Sequence, residues 1–413
     1  MHPALLVAEI LLDIFDWLSD LPSSESRWTY AQLARCCRAW RESALDYLWT
    51  HLHGMDSVIC VLRSHEDVAA GNATAAVLQY TGRVRSLVHL REPTVPDALR
   101  HCSLVFPHLE SVLLFSQGCM APPALATSTL LKHITLNMGF PSRMGSISDL
   151  IERSDAAARF LHHARAQCPS IRSLTVWGRI SPQLNAAIAS YTQLRTISIR
   201  GSFFKIETCA AIATFPSLET LDLGVFLREP EIRSWQVLSS SGTASFPALR
   251  NRTIHSFGPT VEAILARIPV GVLTKLRLDM EGCTEGPSYM QDIFQLLAQK
   301  TSESLRELTV TDRTSMDDLP SSGIARWYNL ELLSPLARLR QLRCFTLHHP
   351  DLDDADLKEL ARWWPTLEHL DLGTYTPDMV MPEWKAQFTP AAHSIAARSF
   401  PHLLSVTVPV PPP

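Results

Sequence analysis

The stretch Phe215-Pro216-Ser217-Leu218-Glu219-Thr220-Leu221-Asp222-Leu223 carries the pattern on which the fold turns. A second copy, Trp364-Pro365-Thr366-Leu367-Glu368-His369-Leu370-Asp371-Leu372, keeps the same spacing. In each, a bulky residue and a proline stop whatever precedes them, and L-x-x-L-x-L follows. Alternating leucines place one side of a short strand in an apolar core and leave the residues between them on the other side. Similar runs begin at Phe106-Pro107, Cys168-Pro169 and Phe400-Pro401, and less complete ones at Leu131, Leu194, Leu273, Leu305 and Leu342. Val84 opens a possible first copy. The copy at Leu249 is damaged, because Arg252 stands where the second apolar residue belongs.

The first apolar positions are 84, 109, 131, 171, 194, 218, 249, 273, 305, 342, 367 and 403. Successive differences are 25, 22, 40, 23, 24, 31, 24, 32, 37, 25 and 36 residues, so the short ones match a leucine-rich repeat and the long ones require insertions. Between the strands the sequence reads as helix. Asp354 to Trp363 is the clearest case, with acidic residues at its start, and Asp292 to Lys300 and Ala156 to Ala166 behave likewise. One strand and one helix per repeat stack into a curved solenoid with a parallel sheet on its concave face. The pattern is weak from Asn72 to Pro107, which reads as a helical junction.

In such strands the residues between leucines face the concave surface. This places Thr175, Trp177, Ser198, Arg200, Asp222, Arg277, Asp279, Thr309, Thr311, His348 and Asp371 there. The target-binding candidates among them are Trp177, Arg200, Asp222, Arg277, Asp279, His348 and Asp371, chosen as the aromatic and charged side chains that dominate protein interfaces.

The N-terminal fifty residues follow another rule. Leu6, Ile10, Ile14 and Leu18 recur every four positions with Leu11 and Phe15 beside them, which is an amphipathic helix. Ser19 to Ser26 reads as a loop. Thr29 with Gln32 three residues on reads as a capping box that opens a second helix, along which Leu33, Cys37, Trp40, Ala44, Leu48 and Leu52 recur. These short helices carry more apolar surface than they can bury among themselves, so part of it must face other protein.

Composition narrows the function. The 413 residues are 46% hydrophobic and 19% charged with a formal charge of -4, which excludes general disorder and gives no reason to expect nucleic acid or a membrane as partner. Basic residues number 37, of which six are lysine, leaving 31 arginines, the better residue for forked pairing at an interface. Met1 to Phe15 has no Lys or Arg and is interrupted by Glu9 and Asp13, so it does not read as a secretory signal. The charge-free window Val112 to Leu131 contains Pro122 and Pro123 and makes a poor membrane helix. A soluble, intracellular protein, in cytoplasm or nucleus, is expected.

Nine cysteines with no C-x-x-C pair read as free, buried thiols. His162-His163 with Cys168 lacks zinc spacing, and Asp351, Asp353, Asp354 and Asp356 lack the glycine and closing glutamate of a calcium loop, so no metal and no cofactor are expected. No phosphate loop, G-x-S-x-G or H-E-x-x-H occurs. Catalytic residues are therefore not assigned, and the chain is not read as an enzyme. Pro409 to Pro413 reads as a proline-rich tail.

Leu6-Val7-Ala8-Glu9-Ile10-Leu11-Leu12-Asp13-Ile14-Phe15-Asp16-Trp17-Leu18 resembles the opening of an F-box. Leu33-Ala34-Arg35-Cys36-Cys37-Arg38-Ala39-Trp40, continued by Ala44 and Leu48-Trp49, resembles its second half. Val7 departs from the family, which has proline there. The resemblance implies a three-helix module that docks on the Skp-type adaptor of a cullin–RING ubiquitin ligase through Leu6, Ile10, Leu11, Ile14, Leu33, Trp40 and Trp49. The two-part layout is similar to basidiomycete fungal F-box proteins with leucine-rich repeats. The expected organisation is an F-box-like module at 1–55, a helical junction and first repeat at 56–105, an irregular leucine-rich-repeat solenoid at 106–408 and the tail at 409–413. The function this implies is that of a substrate receptor holding a protein target for ubiquitination. The alternative is a leucine-rich-repeat scaffold outside any ligase, its N-terminal helices serving as a cap.

Overall fold

The computed structural model describes residues 7–20, 23–64, 77–89, 105–115, 127–139, 146–225, 227, 230–233, 245–280, 287–312, 328–375 and 387–411. The chain divides into two compact units, Met1–Ile188 and Ala189–Pro413.

The first unit opens with three helices, α1 (Ala8–Ser19), α2 (Ser23–Cys36) and α3 (Arg38–Thr50). Three helices are what the F-box resemblance implies, whereas the apolar spacing alone reads the last two as one helix opening at Thr29. Instead, the Thr29 hydroxyl donates back to the Glu25 carbonyl at 2.8 Å, inside a helix that begins six residues earlier. The break falls at Cys37, whose backbone is extended (φ -159°, ψ 161°). The apolar period runs across this break without a missed beat, which is why spacing alone concealed it. Phe15, Tyr30 and Tyr47 hold the helices together: the Phe15 ring meets Tyr30 edge-on at 6.0 Å and Tyr47 at 5.4 Å. The Tyr30 hydroxyl donates to the Phe15 carbonyl at 2.7 Å, so the polar tip of this buried ring is satisfied.

Among the described residues five parallel strands follow, β1 (His51–His53), β2 (Ser86–His89), β3 (Ser111–Phe115), β4 (His133–Asn137) and β5 (Ser173–Arg179), paired in that order. Among the described residues the helices here are α4 (Asp56–Arg63), a short turn of helix at 77–81, α5 (Ile147–Gln167) and α6 (Pro182–Ala189). Strand β1 is one that the sequence reading did not anticipate, since His51-Leu52-His53 carries a single leucine and follows directly on a helical pattern.

Among the described residues the second unit has eight parallel strands in chain order: β6 (Thr196–Ser202), β7 (Thr220–Gly224), β8 (Asn251–Ser256), β9 (Lys275–Met280), β10 (Glu307–Asp312), β12 (Cys344–Leu347), β14 (His369–Asp371) and β15 (Ser405–Thr407). A separate pair, β11 (Tyr328–Asn329) and β13 (Pro350–Asp351), lies outside that sheet. The described helices between them are α7 (Ile206–Ala213), α8 (Gly258–Leu265), α9 (Pro287–Thr301), α10 (Leu330–Leu333), α11 (Asp354–Trp363) and α12 (Ala392–Ser399). Helix α11 begins with a capping box, Asp353 accepting from the Asp356 amide and Asp356 from the Asp353 amide, which accounts for the aspartate run.

Each of the twelve repeat starts read from sequence lies two residues ahead of a strand. Eleven of the twelve are buried, from Val84 to Leu367, and Leu403 is half-buried. The residue before each punctuating proline is core as well: Phe106, Cys168, Phe215, Phe246, Trp364 and Phe400 are all buried. Trp364 packs on Phe345 with ring centroids 4.6 Å apart and donates its indole N–H to the Leu336 carbonyl at 3.0 Å. Ahead of the strands a carbonyl of one repeat takes two successive amides of the next. The Arg85 carbonyl accepts from Glu110 at 2.8 Å and Ser111 at 3.0 Å, and the Arg343 carbonyl from Glu368 at 2.8 Å and His369 at 2.9 Å. Cysteines depart from expectation: of the six described, Cys168 and Cys209 are buried, Cys37 and Cys344 half-buried, and Cys36 and Cys60 exposed.

The damaged copy still makes its strand. Arg252 takes the inward position between Leu221 of β7 and Leu276 of β9 and is buried with them. Its guanidinium lies 4.9 Å from the Phe246 ring centre, and none of its three nitrogens has a hydrogen-bond partner. Burial pulls its pKa down to about 9, so it stays charged at neutral pH in an apolar interior. Unpaired buried polar groups cost roughly 1–3 kcal/mol, and charged ones more. Arg252→Leu, which restores the repeat pattern, is expected to raise stability by about 1–3 kcal/mol in urea titration. A variant less stable than the native chain would mean that the cation–π contact outweighs desolvation.

Candidate functional site: two docking surfaces

Helix α1 is apolar on two sides. Leu11 and Phe15 turn inward and are buried, with Leu18 packed against the module core. Val7, Ile10, Ile14 and Trp17, at steps of three, four and three, form a stripe that adjoins this inward face and is turned to water. Ile10 is 39% exposed, Ile14 36% and Trp17 69%, and Trp28 of α2 is 67% exposed. Water-facing apolar groups set in a row on one helix mark a surface built to be covered. Trp17 and Trp28 were not among the sequence candidates, although their apolar bulk was legible; which side of each helix faces out was not.

The other adaptor candidates divide. Ile10 and Ile14 are on the outward stripe and Leu11 faces the core. Leu33 and Trp40 are half-buried against Phe15, Tyr30 and Ala44. Trp49 is buried, its ring 5.0 Å from Tyr80. Leu6 lies outside the described residues.

In the second unit, alternation puts a polar cluster on the open side of the sheet. Asp222 on β7 accepts from the Ser198 hydroxyl at 2.9 Å and from Arg200 Nη2 at 3.1 Å, both on β6. Its other oxygen is 3.2 Å from His255 Nε2 on β8, and His255 Nδ1 is 2.6 Å from Asp279 Oδ2 on β9. Asp279 Oδ1 accepts from Arg277 Nε at 2.8 Å and from the Thr311 hydroxyl of β10. Five adjacent strands thus share one network of forked charges. Burial opposes charge on both aspartates, yet the surrounding donors outweigh it. His255, Ser198 and Arg200 lower the pKa of Asp222, and His255, Thr311 and Arg277 hold that of Asp279 well below the usual carboxylate range. Burial likewise works against a charged His255, and the adjacent carboxylates of Asp222 and then Asp279 overcome it, so its pKa is raised.

Four sequence candidates, Arg200, Asp222, Arg277 and Asp279, are therefore brought together. His348 and Asp371 lie outside this cluster; Asp371 accepts from the Gly373 amide at 3.0 Å. Trp177 belongs to the first unit and is half-buried. His255, which joins the two aspartates, was missed because it follows Arg252 in the copy that read as damaged. At its exposed edge the cluster presents the guanidinium groups of Arg200 and Arg277, while its hydroxyls are donated inward to the two aspartates.

Residues 8–54 match the F-box-like domain family. They are the three helices and β1. No curated protein matches the chain. Among solved structures, the Rad7–Elc1 complex of yeast aligns with 91% of this chain and 89% of that one, at 12% identity and a TM-score of 0.41. The internalin InlF of Listeria monocytogenes aligns over 80% of this chain and 69% of its own, at 13% identity and a TM-score of 0.33. The TLR13–ssRNA13 complex aligns over 81% and 40%, at 11% and 0.33. Among the described residues no helix is long and apolar enough to cross a membrane.

The cluster predicts a pH window. His255, with its pKa raised above 6.5, contributes stability in full below about 6.5 and loses it as pH rises through the folded value. Asp222 and Asp279, with theirs lowered below 3.8, contribute above that value and lose it as pH falls through their folded values. Urea midpoints measured across pH should therefore be highest between the two ranges. His255→Gln should flatten the alkaline side and, because His255 also lowers both aspartates, make the acid side shallower; an unchanged alkaline slope in that variant would contradict the assignment.

Proposed function

We propose that this chain is the substrate-receptor subunit of a Skp–cullin–F-box ubiquitin ligase. The observation that carries the reading is the outward stripe Ile10, Ile14 and Trp17 on α1, inside the segment that matches the F-box-like family. A domain that already has an aromatic core of its own has no internal use for a second apolar face. The adaptor is the occupant to which we assign it. Leu33 and Trp40, half-exposed beside the core, border the same module and join the interface. Leu11 and Trp49 support it from within.

The repeat body, assigned to 106–408 and preceded by a junction and first repeat at 56–105, binds a protein target. Arg200, Asp222, Arg277 and Asp279, organised by His255, form its polar centre in the second unit, with His348 and Asp371 as further contacts there; Trp177 is a separate candidate contact in the first unit. The chain performs no chemistry itself. It raises the local concentration of target lysines near a ubiquitin-charged enzyme held elsewhere in the complex. This work is intracellular, and the two-part layout supports a likeness to basidiomycete fungal F-box proteins.

The test is a calorimetric titration of the full chain with a Skp-type adaptor. Tight binding by the native chain is expected. The double variant Ile10→Asp, Ile14→Asp should weaken it by about 30-fold or more, as roughly 2 kcal/mol is lost at a hot spot. Its circular dichroism should stay native and its thermal melt should fall only slightly, because both side chains are exposed and lie outside the aromatic core. Equal affinity of the two chains, or no binding by either, would leave the scaffold reading, with the N-terminal helices as a cap on the repeats.

A further inference from the structure

A second feature of the N-terminal helices has no place in the reading above. Between α2, α3 and the turn of helix at 77–81 lies a groove of about 570 Å³, lined by Ala31, Ala34, Arg35, Cys37, Arg38, Arg41, Leu45, Leu48 and Tyr80. Arg38, Arg41, Leu45 and Leu48 follow steps of three, four and three along α3, so they share one side of that helix. The groove thus has a basic end and an apolar end. Tyr80 forms part of the apolar end, its position set by stacking on Trp49.

The basic end is not neutralised from within. Among the described residues no carboxylate lines the groove. The acids on α3 that could reach it, Glu42 and Asp46, are both engaged by Arg83. Among the described residues, Arg35, Arg38 and Arg41 have no hydrogen-bond or ion-pair partner for their guanidinium groups, and all three are exposed. Helix α3 starts here with no side-chain cap and no acidic residue in its first turn, where an acid would ordinarily sit. Three unpaired guanidinium groups around one concavity repel one another, and the arrangement becomes favourable only when an anion enters.

We propose that this groove is a docking site for an acidic segment of a protein partner, distinct from the stripe on α1. Carboxylates of the segment fork onto Arg35, Arg38 and Arg41, and an apolar side chain between them seats against Leu45, Leu48 and Tyr80. The apolar end favours a peptide over a bare phosphate, which would leave that surface wet. The formal charge of -4 favours a short acidic segment over a long polyanion, which the rest of the chain would repel. The volume suits a few side chains and falls in the range of binding pockets.

The test uses the full chain and a fluorescein-labelled peptide that alternates glutamate and leucine, read by fluorescence anisotropy. Binding is expected, weakening as salt rises. A peptide with glutamine for each glutamate should bind at least about tenfold more weakly, as should the triple variant Arg35→Glu, Arg38→Glu, Arg41→Glu. Leu45→Ser should weaken binding severalfold, and all variants should keep the native circular dichroism. The Ile10→Asp, Ile14→Asp chain should bind the peptide normally, which separates this site from adaptor docking. The proposal is overturned if the native chain ignores the peptide, or if the arginine variant or the glutamine peptide binds as well as the native pair. It is overturned also if tripolyphosphate displaces the peptide and Leu45→Ser has no effect, which would make this a site for simple anions.

Discussion

Each strand of the repeat body is made by the same constraint. A strand pairs in parallel with its predecessor in a register that turns the leucines of x-L-x-L into the core, and a one-residue slip would expose every one of them. The double amide clamp ahead of the strands fixes that register from outside the leucines. Glu110 and Ser111 both donate to the Arg85 carbonyl, and Arg306 and Glu307 both donate to that of Thr274. The side chains at these positions add half-exposed ion pairs such as Arg85–Glu110 at 2.9 Å and Arg343–Glu368 at 3.2 Å, which add little to stability but do not oppose the register. Because the register is shared, residues that are strangers in sequence stand in rows on the open side of the sheet.

The charged cluster of the second unit is one outcome. Ser198, Asp222 and Thr253 occupy one row, and His255 and Asp279 are paired in the next. An aspartate as buried as Asp279 is tolerated because three strands supply its donors. Arg252 shows the opposite case. The same alternation that places His255 on the open side places Arg252 inside, where Phe246 covers it and no acid meets it. Phe246 itself holds a left-handed backbone (φ 56°), uncommon for an aromatic residue, so the repeat absorbs strain as well as charge.

Much of this was legible before any coordinates. The L-x-x-L-x-L spacing located twelve of the described strands, β2 to β10, β12, β14 and β15, because leucine alternation and the proline break report directly on pleat and turn; the pair β11 and β13 carries no such pattern. Strand β1 was illegible because one leucine cannot alternate. The cluster was legible in four of its members, since each lies between two leucines. His255 was not, because the substitution at Arg252 broke the pattern that would have placed it. On α1 the sequence showed an apolar helix, but a helix with two apolar sides does not declare which side its neighbours cover. Only the packing of Phe15 on Tyr30 and Tyr47 decides that, and it is long-range information.

The proposed receptor has two working parts: a helical module whose outward stripe would meet an adaptor, and a repeat body left free for a target. Hydrogen exchange of the full chain, with and without a Skp-type adaptor, tests this most directly. The account predicts added protection confined to α1–α3, with the strands from β6 to β15 exchanging as before. Protection appearing on those strands, or nowhere, would contradict it.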